Sequence, residues 1–120
     1  MAQFILVLKG INEQLPGYSP EELQKLFEKY DAWVENLRKR NKLRAAQRLK
    51  DGIGRVITAQ NGRVVDGPFA ETKETIGGYF VIECRDIEEA VTYAQSCPIL
   101  LHSGSVELRE MIVDGCRYTK

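Results

Sequence analysis

Residues 19–40 read SPEELQKLFEKYDAWVENLRKR, and this segment constrains how the rest of the chain can fold. Ser19 is a preferred helix cap, Pro20 suits the first helical position, and Glu22 completes a capping box with Ser19. Residues 38–40 are basic, and positive charges are stabilised at the C-terminal end of a helix by its dipole. Apolar side chains recur at helical spacing, at Leu23, Leu26, Phe27, Tyr30, Trp33, Val34 and Leu37. The segment therefore predicts a long amphipathic helix that covers another layer with one face.

Apolar runs on both sides of this helix predict the strands of a sheet. Residues 3–9 predict a strand with a continuous apolar run from Phe4 to Leu8, which is typical of a central strand buried on both faces. Residues 43–49 predict a second strand with imperfect alternation, and residues 78–84 predict another buried strand. Residues 105–113 alternate and predict the last strand.

A hairpin and a second helix complete the prediction. Residues 55–59 and 63–65 flank Gln60-Asn61-Gly62, and Asn-Gly is a favoured hairpin turn. Residues 86–89 read Asp-Ile-Glu-Glu and predict a second capping box, opening a short helix that ends near Cys97-Pro98.

The element order predicts an α+β fold of ferredoxin-like βαββαβ topology with an inserted β-hairpin, formed by a single domain over residues 1–120. Two helices can cover only one face of a four-stranded sheet. The other face then needs a partner, and a second copy of the chain is the simplest one. We therefore expect a homodimer, a dimeric α/β barrel with a cavity between the two sheets.

Composition excludes several classes of function. The 120 residues carry 17 basic and 17 acidic side chains, so no overall charge favours nucleic acid or an anionic membrane. The N-terminus lacks the features of a signal peptide, no apolar run approaches a membrane span, and we expect a cytoplasmic protein. Cys84, Cys97 and Cys116 lack metal-ligand spacing, so neither a metal site nor a disulfide framework is expected. Cys97 lies at the predicted end of a helix, before Pro98, and the negative end of the helix dipole disfavours a reactive thiolate there. No cofactor motif is present, and no cofactor is predicted.

Residues 66–79 read DGPFAETKETIGGY, and this segment resembles the signature of the DGPF branch of the YCII-related proteins. The similarity extends over nearly the whole chain, including residues 19–22, Cys97-Pro98 and the strand from Gly104 to Arg109. The resemblance implies a ferredoxin-like fold assembled as a dimeric α/β barrel. It also implies a gene neighbourhood with extracytoplasmic-function sigma factors, and hence a regulatory role as one alternative.

The signature segment is a candidate ligand-binding loop. Asp66 begins a turn-forming Asp-Gly-Pro triplet, and it is either a structural turn residue or a ligand contact. Phe69 is either an apolar anchor or a ligand contact, and Glu71 adds a carboxylate. Gly78 permits close backbone approach by a neighbouring chain or a ligand. All four are predicted ligand-binding residues.

Three ring-bearing side chains outside the loop are further candidates. Some YCII relatives carry a His–Asp pair proposed for acid–base or dehydrochlorinating catalysis. This chain has one histidine, His102, which is either an exposed loop residue or a general base. Tyr30 and Tyr79 either pack in the core or present phenols to a ligand. The long helix presents aromatic residues where such relatives have an inward histidine, so the dyad is not expected here.

Two charged patterns have simpler explanations. Glu107 and Arg109 alternate onto one strand face, where an ion pair is expected. Residues 38–50 contain seven basic and no acidic side chains, which suits either a solvated edge or an acidic partner.

Three functions remain open at this point. The first is a homodimer that binds a small molecule in a cleft near the DGPF loop. The second is a cofactor-independent acid–base enzyme, similar to a lyase or dehydrochlorinase, acting on a small and possibly aromatic substrate, with Asp66, Glu71, His102 and Tyr79 as catalytic candidates. The third is a protein-interaction module that uses the basic segment. A pocket that holds Asp66 beside a group with a displaced pKa would favour the enzyme.

Overall fold

The computed structural model describes residues 1–10, 17–50, 52–68, 75–102 and 104–112. Within these ranges, no helix is both long and apolar enough to cross a membrane. The elements occur in the predicted order: β1 (Ala2–Lys9), α1 (Pro20–Lys39), β2 (Leu43–Arg48), β3 (Arg55–Gln60), β4 (Arg63–Pro68), β5 (Ile76–Cys84), α2 (Ile87–Gln95), a 3₁₀ helix (Pro98–His102) and β6 (Ser105–Glu110).

Four strands form one antiparallel sheet in the order β2-β5-β1-β6. This order, with helices after the first and third sheet strands, confirms the predicted ferredoxin-like α+β fold. The hairpin β3–β4 forms a separate two-stranded sheet. Both helices pack on the same sheet face, in a core that contains Phe4, Leu6, Leu8, Trp33, Leu37, Ile82, Ala90 and Ala94.

Strand β1 is fully buried on one face rather than on both. Phe4, Leu6 and Leu8 are at most 1% exposed under the helices, whereas Ile5 and Val7 on the opposite face are half-buried. The prediction of a strand buried on both faces is therefore wrong for the single chain. The side chains alternate between the two sheet faces, and both helices lie on only one of them.

The cap of α1 is confirmed in full and that of α2 only in half. Ser19 Oγ accepts from the Glu22 backbone N–H at 3.1 Å, and the Ser19 N–H donates back to Glu22 Oε1 at 3.2 Å. Asp86 Oδ1 likewise accepts from the Glu89 N–H at 2.9 Å, but Glu89 Oε1 accepts from the Arg85 N–H instead of closing the box. The second capping box is therefore wrong in its reciprocal bond: Glu89 bonds to the Arg85 N–H and pairs with Lys42, the residue before β2.

The hairpin forms at the predicted Asn-Gly turn. Asn61 and Gly62 have φ of 51° and 79°, the left-handed pair that such a turn requires. Residues 66–68, however, extend β4 rather than forming a turn, with Asp66 opposite Ile57. A proline is tolerated at Pro68 because it ends the strand opposite Arg55. The turn predicted at Asp66 is therefore wrong.

Candidate functional site

A cavity of about 550 Å³ lies between α1 and the helix-covered face of the sheet. Leu8, near the end of β1, and His102, the last residue of the 3₁₀ helix, both line it. Its lining is mainly apolar and includes Leu8, Leu26, Phe27, Val34, Ala46 and Phe80. Because these residues all belong to one chain, this cavity forms without a second copy. It differs from the cleft between two sheets that the sequence predicts.

Tyr30 and His102 meet at the cavity wall although they are 72 positions apart in the sequence. The Tyr30 hydroxyl lies 2.9 Å from His102 Nε2, and both side chains are partly buried. Tyr30 projects from the apolar face of α1, while the 3₁₀ helix after Cys97-Pro98 brings His102 toward it. The interpretation of His102 as an exposed loop residue is wrong, because α1 packs against the 3₁₀ helix that carries it.

Burial keeps both members of this pair uncharged. It raises the pKa of the Tyr30 phenol well above its usual value, an effect that the Cys97 thiol increases and the Arg48 guanidinium opposes. Burial also lowers the pKa of His102 below 6.5, and a contact with its own backbone opposes the shift. A neutral imidazole carries one N–H, so two arrangements satisfy this contact: the phenol O–H donates to Nε2, or Nε2–H donates to the phenol oxygen. His102 Nδ1 is buried and has no hydrogen-bond partner among the described residues.

Two charged side chains, Arg48 and Asp31, also border the cavity. Neither was predicted as a site residue, since nothing local distinguishes Arg48 from the other cations of its segment. Its strand register supplies the missing information: Arg48 pairs with Gly78, which in turn pairs with Leu8. Asp31 follows Tyr30 on α1 at the edge of the apolar stripe. Register is a non-local property, and sequence spacing alone did not reveal it.

Gly78 has a structural reason to be glycine. A Cβ at this position would lie 2.8 Å from the Gln47 carbonyl oxygen and 3.3 Å from the Arg48 Cα. The close approach that the sequence predicted is therefore made by β2 of the same chain. Gly78 also leaves the cavity floor free of a side chain between Leu8 and Arg48.

The other predicted site residues are not gathered at this cavity. Asp66 lies on the hairpin, with its side chain 51% exposed and paired with Arg55 Nη1 at 2.9 Å. Tyr79 borders the cavity, but strand alternation directs its ring to the opposite sheet face, beside Val7. Phe69 and Glu71, like Cys116, lie outside the described residues. Within the described chain, the cavity brings together only Tyr30, His102, Gly78 and the backbone near Tyr79 from the predicted set.

The remaining candidates have partners that explain them. Cys97 is 2% exposed, and burial raises the pKa of its thiol to about 11. Glu107 and Arg109 share a strand face as predicted, but Glu107 pairs with Lys9 at 2.8 Å rather than with Arg109. In the basic segment, Arg38, Lys42 and Arg44 pair with Glu35, Glu89 and Glu83 at 3.9, 3.4 and 3.2 Å. These ion pairs weaken the interpretation of that segment as a surface for an acidic partner.

Comparison with known proteins identifies the family. The family model of the YCII-related domain matches residues 2–113. An uncharacterized protein from Rhizobium meliloti (strain 1021) is 38% identical over 68 residues, which are 56% of this chain and 50% of that relative. The chain thus aligns with only about half the length of the curated relative it matches. The narrower DGPF branch stays a prediction from the motif, since the matching model describes the family as a whole.

A solved structure with the same fold is the 5-chloro-2-hydroxyhydroquinone dehydrochlorinase TftG from Burkholderia phenoliruptrix AC1100, in complex with 2,5-dihydroxybenzoquinone. It superposes with a TM-score of 0.51 over 92% of this chain and 93% of that one, at 13% sequence identity. At this identity the similarity supports the fold assignment alone.

Proposed function

The chain belongs to the YCII-related family, and we propose that it binds a small organic molecule in the cavity between α1 and the sheet. The observation that carries this proposal is the Tyr30–His102 pair at the wall of an otherwise apolar cavity. An apolar pocket with a few convergent polar groups is the usual form of a small-molecule site. The volume of about 550 Å³ lies within the range of such sites. The family fold also accommodates a small molecule in the TftG complex.

Fragment screening by protein NMR tests the proposal. Fragments that bind should shift the amide signals of residues such as Leu8, Phe80 and His102. An Ala46→Phe variant should abolish these shifts because the larger ring would occupy space that Ala46 now lines, whereas Ala59→Phe, on the hairpin outside the cavity, should leave them unchanged. Binding that persists in Ala46→Phe, with shifts on the open sheet face, would contradict the proposal.

A second candidate function is cofactor-independent acid–base catalysis in the same cavity. It is favoured by the lowered pKa of His102, which leaves the imidazole neutral at neutral pH. The function requires the tautomer in which His102 Nε2–H donates to the Tyr30 hydroxyl oxygen, because the Nδ1 lone pair is then left to accept a proton. Asp66 and Tyr79 have no direct part in this version of the reaction, since neither side chain lies beside the pair.

A neutral aromatic probe, 5-nitrobenzisoxazole, tests for such a base. Proton removal from its ring carbon breaks the N–O bond and releases a coloured cyanophenolate, with the proton taken by the base. We expect a rate above that of buffer that rises with pH through the lowered pKa of His102 and is lost in His102→Gln. Equal rates for the wild type and His102→Gln would exclude this function for the residue.

We also propose that the chain assembles as a homodimer through the sheet face that carries no helix. Ile5, Val7 and Val81 give this face an apolar centre, flanked by charged residues such as Glu107 and Arg109. The two helices cover only one side of the apolar central strand β1, which favours a second copy of the chain on the other side. Sedimentation at micromolar concentration should give a dimer for the wild type and for Val64→Glu on the hairpin, and a monomer for Val7→Glu. A monomeric wild type would refute the assembly but not the cavity.

A further inference from the structure

The hairpin β3–β4 carries apolar side chains that its own chain leaves exposed. Every residue of β3 is exposed. Ile57 and Val64 share one face of the hairpin and are 68% and 78% exposed, and Val56 on the other face is 47% exposed. A two-stranded hairpin on its own is at most marginally stable in water. This hairpin therefore has the composition of one part of a larger sheet.

The two outer edges of the hairpin differ. Among the described residues, β3 pairs with β4 alone, so each strand has one free edge. Strand β4 carries the charges of Arg63 and Asp66 and ends at Pro68, which has no backbone N–H. Charged residues and proline on an edge strand oppose pairing with another chain. Strand β3 has a charge only at Arg55, its first residue, so its edge is the one open to a further strand.

The turn determines which backbone groups of β3 lie along this edge. Gln60 and Arg63 flank the two-residue turn and pair with each other, and such a turn is closed by a hydrogen bond between the residues that flank it. Bonded and non-bonded pairs then alternate along an antiparallel ladder. Arg55, Ile57 and Ala59 therefore direct their N–H and C=O groups away from β4.

We propose that β3 pairs in antiparallel fashion with β3 of a second copy of the chain, which joins two hairpins into one four-stranded sheet. Identical strands related by a two-fold axis are complementary, because each supplies the groups that the other needs. When Ile57 lies opposite its own copy, Arg55 lies opposite Ala59 of the partner subunit. The outward-facing residues then bond to one another, and the two Arg55 side chains lie at opposite ends of the contact.

The contact is small, so we expect it to form above the micromolar range. A few backbone hydrogen bonds and exposed apolar side chains bury less surface than a stable interface needs. In the wild type the contact should double the mass of the sheet-face dimer as the concentration rises. In Val7→Glu, which removes the sheet-face contact, it should convert monomers to dimers. The pairing of β3 is thus tested separately from the sheet-face dimer.

Sedimentation equilibrium from micromolar to millimolar concentration tests the pairing with two matched variants. Ile57→Lys places like charges opposite each other at the centre of the contact and should abolish the doubling of mass. Val64→Lys makes the same kind of change on the same face of the hairpin, but on β4, and should leave the doubling unchanged. Equal loss in both variants would show that the apolar face, and not the edge of β3, makes the contact.

A mixed sample of isotope-labelled and unlabelled wild-type protein tests the pairing without a variant. In the proposed register, Val56 lies opposite Thr58 of the partner subunit in a non-bonded pair, where Hα protons are close. Within one strand these residues are about 6.6 Å apart, at about 3.3 Å per residue. An isotope-filtered NOE between them should appear at millimolar concentration. A wild type whose mass does not double, or whose mass doubles without an NOE between the two β3 strands, would overturn the proposal.

Discussion

Replacing Gly78 by alanine should destabilise the sheet edge that carries one wall of the cavity. The added methyl would lie 2.8 Å from the Gln47 carbonyl oxygen, whereas ordinary contact begins at 3.4 Å. Strand β2 would have to move by roughly 0.6 Å, the difference between those two distances. Since the atoms it meets belong to the backbone, no side-chain rotation can relieve the contact.

The magnitude follows from two opposing terms. Overpacking of this kind costs about 1–3 kcal/mol, and an alanine recovers about 0.4–1 kcal/mol by restricting the unfolded chain. We therefore expect Gly78→Ala to lower the free energy of unfolding by about 1–2 kcal/mol in urea denaturation, with an unchanged m-value. Fragment binding should also weaken, because β2 carries Ala46 and Arg48.

Gly67→Ala is the matched control. Gly67 is also a strand glycine facing a backbone carbonyl of the neighbouring strand, but its added methyl would lie 3.7 Å from the Val56 oxygen, an ordinary contact. Its stability should match the wild type within about 0.5 kcal/mol or exceed it slightly. The reasoning is refuted if Gly78→Ala unfolds at the same urea concentration as Gly67→Ala.

Three further predictions concern the pair, the core and a thiol. His102 is the only histidine, and its imidazole NMR signals should titrate with a pKa below 6.5 because burial disfavours the charged ring. The unfolded chain then binds more protons than the folded chain, so the contribution of His102 to stability should be complete above pH 6.5 and should decline as the pH falls toward the folded pKa. His102→Gln should remove this component from the pH dependence of stability measured in urea. Leu6→Ala should lower the free energy of unfolding by about 2–5 kcal/mol because Leu6 is fully buried. Val64→Ala, at a side chain that is 78% exposed, should change it by less than about 0.5 kcal/mol. Equal losses in the two variants would contradict the burial pattern. Cys97 should resist iodoacetamide at pH 8 in the folded protein and should react once urea unfolds the chain. Burial both shields the thiol and raises its pKa to about 11. Equal reaction rates in the folded and unfolded states would contradict the burial of Cys97.

The elements that the sequence predicts well are those specified by neighbouring residues. The Ser19–Glu22 box and the Asn61-Gly62 turn each depend on contacts within four positions, and both form as predicted. Helix α1 follows from the same local logic, because its apolar stripe and its caps agree with one another. The strand order then follows from the ferredoxin-like pattern of the elements.

The candidate site depends on long-range geometry, and the sequence predicts it only in part. Tyr30 and His102 were nominated separately, but their pairing needs the 3₁₀ helix to pack on α1, a contact across 72 positions. Arg48 reaches the cavity through its register with β5, which includes an irregularity between Leu43 and Ala45. Asp66 shows the opposite error: its triplet has the composition of a turn, but pairing with β3 keeps it extended.

A crystal structure of the protein with a bound fragment tests the location of the site most directly. We predict electron density between α1 and the sheet, with a polar atom of the fragment within hydrogen-bond distance of Tyr30 Oη or His102. Density on the helix-free sheet face, with the space beside Tyr30 unoccupied at saturating fragment, would contradict the assignment of this cavity as the ligand site.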